Sequence, residues 1–351
     1  MAIGLCGCGV TTPTKEQVGQ SLFEDPNLSS PAGTACSSCH DPKQAFREPE
    51  SDFATSMGAV KGRFGPRNTQ TAMYARYVPP LQFDEARGAW IGGLFHDGRA
   101  STLEEQAEKP LLNPLEMNNA NKAAVVATVR EASYAASFTA VFGPRALDDA
   151  DAGFAHVTEA IAAYERTAQF APFASKYDAY LAHRVELSAA EARGLAIFED
   201  PARGNCATCH PSRPAADGTP PLFTTYGYAN LGIPKYMNNP FFADEPAMNP
   251  DGAAYIDHGL METVADPAQD GKFRIPTLRN VARTPPYGHA GYFENLPYVL
   301  EFIATRDGYG PNGAWPGPEV AATVDQRVGH LPLTNADLDD LRAFLVTLND
   351  P

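Results

Sequence analysis

Apolar residues recur at helical spacing in several separate stretches of the chain. Phe154, Val157, Ile161 and Tyr164 form one stripe; Leu338, Leu341, Leu345 and Leu348 form another behind a capping threonine, Thr334. A near-repeat adds two more helices: Gly19-Gln-Ser-Leu-Phe23-Glu-Asp-Pro26 and Gly194-Leu-Ala-Ile-Phe198-Glu-Asp-Pro201. Each copy opens on a candidate capping box, Thr14 with Gln17 and Ser188 with Glu191, and Ser101 with Glu104 is read as the cap of a helix from Leu103 onward. No stretch alternates as a strand, so the pattern predicts an all-α, mainly helical chain with long loops. Between Pro211 and Gly271 the chain is rich in Pro, Gly and Asn and lacks periodicity, which predicts a functional or wrapping loop. A domain boundary is expected between Gln169 and Leu187, just before the second copy of the repeat.

Composition narrows the classes. The 351 residues are 44% hydrophobic and 20% charged, with no apolar run near the roughly 18 residues of a membrane span. An integral helical membrane protein and a disordered chain are both excluded. The formal charge of −15, from 27 basic and 42 acidic residues, disfavours nucleic acid and anionic lipid as partners and favours a basic patch on a partner protein.

Four of the six cysteines change the picture most. They form Cys36-Ser-Ser-Cys39-His40 and Cys206-Ala-Thr-Cys209-His210, each preceded by one copy of the repeat. Cys-x-x-Cys-His is the attachment pattern for c-type haem: two cysteines three apart reach the two vinyl groups of a porphyrin, and the adjoining histidine is placed to ligate iron. A zinc site would need its second ligand pair in the same small domain, and these motifs lie in opposite halves of the chain. The reading is two covalently attached haem c groups. Residues 14–170 and 171–351 are then expected to be two cytochrome c-like domains with one haem each. Thioether haem is assembled outside the bacterial inner membrane, so a periplasmic location follows. Cys6 and Cys8, in Leu5-Cys6-Gly7-Cys8, look like the tail of a lipoprotein cleavage site with Cys8 lipidated; a truncated ordinary signal or a flexible N-terminus over residues 1–13 is the alternative.

Three further segments carry a family resemblance: Gly93-Leu-Phe-His-Asp-Gly-Arg99; Gln106-Ala-Glu-Lys-Pro110 through Glu116-Met-Asn-Asn119; and Phe273-Arg-Ile-Pro-Thr-Leu-Arg-Asn280 followed by Thr284-Pro-Pro-Tyr287. In this order, between two haem motifs, they resemble the bacterial dihaem cytochrome c peroxidases, a family that includes MauG-type enzymes. The resemblance runs from Gly19 to Leu348. It implies a peroxidatic first haem with His40 as proximal ligand and an electron-transfer second haem with His210. It implies that Gln106, Pro110 and Glu116 line the peroxide pocket, and that Asn68, Thr284 and Pro286 hold a calcium ion between the domains. Glu116 suits the proton transfer that O–O cleavage needs if burial raises its pKa; a surface glutamate capping a turn is the alternative.

Four departures from the family pattern refine this. No histidine occurs between His40 and His96, so the first haem is expected to be open without pre-reduction. Ile303 stands where the resemblance places the sixth ligand of the second haem; either Tyr298, Met261 or Tyr309 supplies it, or no residue does. His289 fits the turn histidine of the family. His96 replaces the tryptophan between the haems, with a haem propionate, an iron or simple packing as its partner. Trp90 and Trp315 are the only tryptophans and neither adjoins the second motif; Trp315 reads as a loop anchor.

Three functions are consistent with this pattern. The first is a periplasmic peroxidase reducing hydrogen peroxide with electrons from a small cytochrome c or cupredoxin. The second is a MauG-type oxidase acting on a partner protein, and the third an electron-transfer cytochrome without peroxide chemistry. A homodimer is allowed.

Overall fold

The computed structural model describes residues 12–49, 53–310 and 312–351. Cys6 and Cys8, with the expectation of a lipid anchor, lie outside them.

Eleven α-helices are present among the described residues. In chain order they are α1 (Lys15–Phe23), α2 (Cys36–Cys39), α3 (Leu103–Leu112), α4 (Lys122–Glu131), α5 (Ala135–Phe142), α6 (Ala150–Glu165), α7 (Lys176–Leu181), α8 (Ala189–Glu199), α9 (Leu260–Val264), α10 (Leu296–Thr305) and α11 (Asn335–Val346). Three antiparallel two-stranded sheets accompany them: β1 (Gln82–Asp84) with β2 (Ala89–Ile91), β3 (Tyr228–Ala229) with β4 (Phe273–Arg274), and β5 (Tyr309–Gly310) with β6 (Gly313–Ala314). The chain is therefore mainly helical rather than strictly all-α. Strands of two or three residues are too short to leave an alternating signature, which is why the pattern missed them.

The repeat has a packing reason. Thr14 and Gln17 close their capping box on α1, and Ser188 and Glu191 close theirs on α8. Inside each helix the repeat's glycine meets another helix at a distance that no side chain tolerates. A Cβ on Gly19 would stand 1.9 Å from the Ala160 carbonyl oxygen of α6, and one on Gly194 would stand 2.0 Å from that of Asp340 in α11. One turn later Phe23 and Phe198 are fully buried. Each copy is thus a helix pressed backbone-to-backbone on a second helix, with a phenylalanine driven into the core beside the crossing.

The helix after Leu103 starts differently from the expectation. Thr102, not Ser101, is the N-cap and accepts from Glu105 N at 3.1 Å, while Glu105 reaches back to Ser101 N at 2.7 Å. Glu104 turns outward to Arg166, 2.6 Å away. The frame is shifted by one residue because Glu104 has a better partner in a guanidinium than in a backbone amide.

Most buried apolar residues fall into two clusters. One joins Val18, Leu22 and Phe23 of α1 to Phe154, Val157, Ile161 and Tyr164 of α6; the other joins Ile197 and Phe198 of α8 to Leu341, Phe344, Leu345 and Leu348 at α11. The long aperiodic segment wraps onto the opposite half of the chain. Asn239 donates to Pro66 O at 2.7 Å, Asp244 accepts from Phe64 N at 3.0 Å, and Asp257 takes both Nε and Nη2 of Arg67 at 2.7 and 2.8 Å.

Two buried polar knots close the junction between the clusters. The Arg279 guanidinium forks onto Asp178 at 2.8 and 2.9 Å, and the Asp350 carboxylate accepts from Tyr74 Oη, Asn280 Nδ2 and Ala174 N at 2.7 to 2.9 Å. The glycine crossings carry the first testable consequence. Gly194→Ala must push α8 off α11, and overpacking of this kind costs about 1–3 kcal/mol. A denaturant midpoint lowered by that amount is expected, whereas an unchanged midpoint would show that the crossing has slack.

Candidate functional site

Each Cys-x-x-Cys-His motif faces a cavity. The first, of about 220 Å³, is lined by Cys36, Cys39 and His40; the second, of about 340 Å³, by Cys206, Cys209 and His210. The four thiols form no disulfide. Burial pushes the Cys36, Cys39 and Cys206 thiols up to about 12. Among the described residues, no three His, Cys, Asp or Glu side chains converge on a metal ion.

The histidines are held alike. His40 Nδ1 meets Phe46 O at 3.1 Å, and His210 Nδ1 meets Phe223 O at 2.7 Å. A carbonyl only accepts, so Nδ1 carries the proton and Nε2 keeps its lone pair. Both phenylalanines adopt the left-handed backbone region, with φ of 51° and 50°. Burial lowers the pKa of both rings, His210 to about 4, so each is neutral. A neutral imidazole fixed through Nδ1 beside two thiols is what a haem iron requires of its proximal side.

Around the first cavity stand the other candidates. Gln106 and Pro110 are one turn apart on α3 and both line the cavity, as does Glu116 from the turn that follows. The Glu116 carboxyl accepts from Asn113 Nδ2 at 2.7 Å, yet burial raises its pKa, with the Arg99 charge opposing. It is a desolvated carboxyl in a cavity wall, not a solvated turn cap.

The cavities share a wall of Asn68, Thr69, Gln70, Thr71, Ala75, His96 and Arg274. His96 Nε2 donates to Asn68 O at 2.9 Å, and burial, helped by the Arg67 charge, holds the ring neutral with a pKa of about 3. Asn68 N donates to His289 O at 2.7 Å. Thr284 and Pro286 line the second cavity together with Asn68, so the three calcium candidates share one cavity. His289 stacks on Phe273, ring centres 3.9 Å apart, and faces Glu319 through Nε2 at 3.2 Å.

The candidate sixth ligands separate cleanly. Ile303 lines the second cavity, whereas Tyr298, Met261 and Tyr309 do not. Tyr298 packs on Phe293 and Trp315, and Tyr309 is 82% exposed. Of the three only Tyr298 lies on α10, and that helix presents Ile303 to the cavity in its place. Trp315 fastens its loop to α10, its Nε1 donating to Thr305 Oγ1 at 3.0 Å. Trp90, on β2, meets Phe83 edge-on.

Sequence reasoning missed Glu165. It ends α6 one turn after Ile161, lines the first cavity, and is raised to about 8 by burial. A carboxylate four residues beyond Ile161 on a buried stripe was the available signal. It also missed Arg67, the buried guanidinium that bridges Asp97 and Asp257; nothing in the pattern marks a long-range ion pair.

Two such cavities in one mainly helical chain describe a protein built to hold two haems. The chain belongs to the di-haem cytochrome c peroxidase family, whose model matches residues 13–186, and is a haem-dependent oxidoreductase acting on peroxide. It is 38% identical to the methylamine utilization protein MauG of Paracoccus denitrificans, over 95% of this chain and 88% of that one. It is 29% identical to the cytochrome c551 peroxidase of Nitrosomonas europaea, over 81% and 71%. Its fold superposes on the crystal structure of the diheme peroxidase BthA of Burkholderia thailandensis with a TM-score of 0.83 and 35% identity, over 96% of this chain and 86% of that one.

Glu165 supplies the prediction for this site. Its folded pKa lies above the unfolded value of about 4.3, so its contribution to stability is present below that value and is lost as pH rises toward about 8. Glu165→Gln is expected to flatten the fall in unfolding midpoint across this window and to be more stable than the parent at pH 8. Parallel pH profiles would show the carboxyl to be ionised and solvated instead.

Proposed function

We propose that the chain is a peroxidase that reduces hydrogen peroxide to two waters at the first cavity, with two electrons from a small cytochrome c or cupredoxin entering through the second. Each apolar cluster is one cytochrome c-like domain, with a haem attached through Cys36 and Cys39 in the first and Cys206 and Cys209 in the second. Asn68, with the backbone oxygens of Thr284 and Pro286, holds calcium between them. Attachment of this kind is assembled outside the inner membrane, which supports a periplasmic location.

One observation carries the reading: the cavity that receives His40 is also lined by Glu116, a carboxyl whose pKa burial raises, together with Gln106 and Pro110. Haem bound there supplies an iron position for peroxide and the redox equivalents to cleave it. Glu116 takes a proton from the near peroxide oxygen and returns it to the far one, which departs as water. Gln106 donates through its amide to orient the peroxide, and the ring of Pro110 keeps bulk water from the same face. Asn113 holds the Glu116 carboxyl at 2.7 Å, which fixes its reach.

A second reading, a MauG-type oxidase that modifies a partner protein, is favoured by the 38% identity to MauG and by Ile303 at the second cavity. One experiment separates the two: stoichiometric peroxide is added to the oxidised protein without prior reduction, and reduced cytochrome c follows. The peroxidase reading expects an immediate spectral change that the cytochrome discharges. A long-lived oxidised state indifferent to cytochrome selects the oxidase, and no reaction at all leaves electron transfer only. Glu116→Gln should slow the peroxide step by about 10²–10⁴-fold with both haems retained, and unchanged turnover removes Glu116 from the mechanism.

The net charge of −15 gives the donor a long-range attraction. Donor oxidation at limiting concentration should fall steeply between low and physiological salt, where the Debye length shrinks to about 8 Å. A salt-independent rate would assign recognition to apolar contact.

A further inference from the structure

The wall that α10 gives the second cavity is aliphatic. Val299, Leu300 and Ile303 share one face of the helix and line the cavity, while Phe302 points the other way into Phe293 and Trp315. The helix is pinned in this orientation by Asn295, whose side chain caps Tyr298 N at 3.0 Å, and by Gly329 N, which donates to Ile303 O at 2.7 Å. A turn of α10 that would bring Tyr298 inward breaks both bonds and empties the aromatic pocket around Trp315.

Several of the groups lining this cavity that could otherwise bind iron are engaged elsewhere. Tyr287 Oη donates to Val281 O at 2.6 Å, the Met73 sulfur receives Asn280 Nδ2 at 3.2 Å, and the Asp257 carboxylate is forked by Arg67. His289 is stacked flat on Phe273 and turned to Glu319 through Nε2, its Nδ1 being buried without a partner, and His96 is turned to Asn68 O. His210 alone combines a free lone pair with a position beside the attaching cysteines.

We infer that the second haem has no protein ligand opposite His210, and that its sixth position is an apolar pocket formed by Val299, Leu300 and Ile303 which takes small neutral ligands such as carbon monoxide. This rests on the reading that a haem is attached at Cys206 and Cys209. Aliphatic walls offer no donor to an anion and no hydrogen bond to hold a water, whereas a neutral diatomic loses little on leaving solvent. The chain would then carry two exchangeable iron positions of opposite character, one ringed by Glu116, Gln106 and Arg99, the other by hydrocarbon.

The test is the number of carbon monoxide molecules bound per fully reduced chain carrying two haems, in the parent and in Ile303→Met, alongside the spin state of the oxidised proteins. Two bound per parent chain, with both irons high-spin, is the expected result. Ile303→Met places a thioether opposite His210, so one site should be lost and a low-spin signal should appear. If the parent binds only one and Ile303→Met binds none, the second haem is the open one. The present inference then stands while the open first haem of the peroxidase reading fails. If the parent binds one and Ile303→Met still binds one, or the parent binds none, a protein ligand already closes the second haem and the inference is overturned. Ile303→Leu, which keeps the pocket apolar, should match the parent and controls for packing.

Discussion

The two cavities are separated by one wall, and its hydrogen bonds run unbroken from one half of the chain to the other. Asn68 N donates to His289 O, His96 Nε2 donates to Asn68 O, Arg274 N donates to His96 O, and Arg274 Nε returns to Phe95 O. Asn68, His96 and Arg274 each face both cavities, so none can move for the benefit of one site alone. The buried Arg67, gripping Asp97 next to His96 and Asp257 from the wrapping segment, locks the same wall from behind. Removing one partner from such a pair leaves an uncompensated buried charge, which costs about 3–5 kcal/mol. The spacing between the two sites is therefore set by polar contacts, while the clusters on either side are held by hydrocarbon.

This division explains what was legible beforehand. The helices could be read because burial on one face imposes a period, as with Phe154, Val157, Ile161 and Tyr164, all at 3% exposure or less. The Cys-x-x-Cys-His motifs could be read because porphyrin chemistry fixes the spacing they match. The wall could not, because its bonds end on backbone carbonyls of residues far apart in the chain, and a carbonyl carries no sequence signature. Arg67 looked like any charged residue in a glycine-rich loop. The one-residue shift of the cap from Ser101 to Thr102 is the same lesson on a small scale, since Arg166, remote in sequence, competes for Glu104.

Ile303 is the instructive middle case. Sequence alone showed an isoleucine where a ligand was expected, which left open whether the register had slipped. Packing removes that freedom, because Phe302 next door is committed to Trp315 and Phe293, and a helix cannot rotate one side chain inward without rotating its neighbour out.

The matched left-handed phenylalanines have a consequence for the electronics of the pair. Phe46 and Phe223 present their carbonyls to His40 and His210 in the same backbone conformation, so the two imidazoles are held in the same way, His210 by the shorter bond of 2.7 Å against 3.1 Å. Haems held there, as proposed above, would face unlike opposite walls: a guanidinium and a titratable carboxyl in one, branched hydrocarbon in the other. Most of any difference in potential between two such similarly held groups would then be written by what each faces.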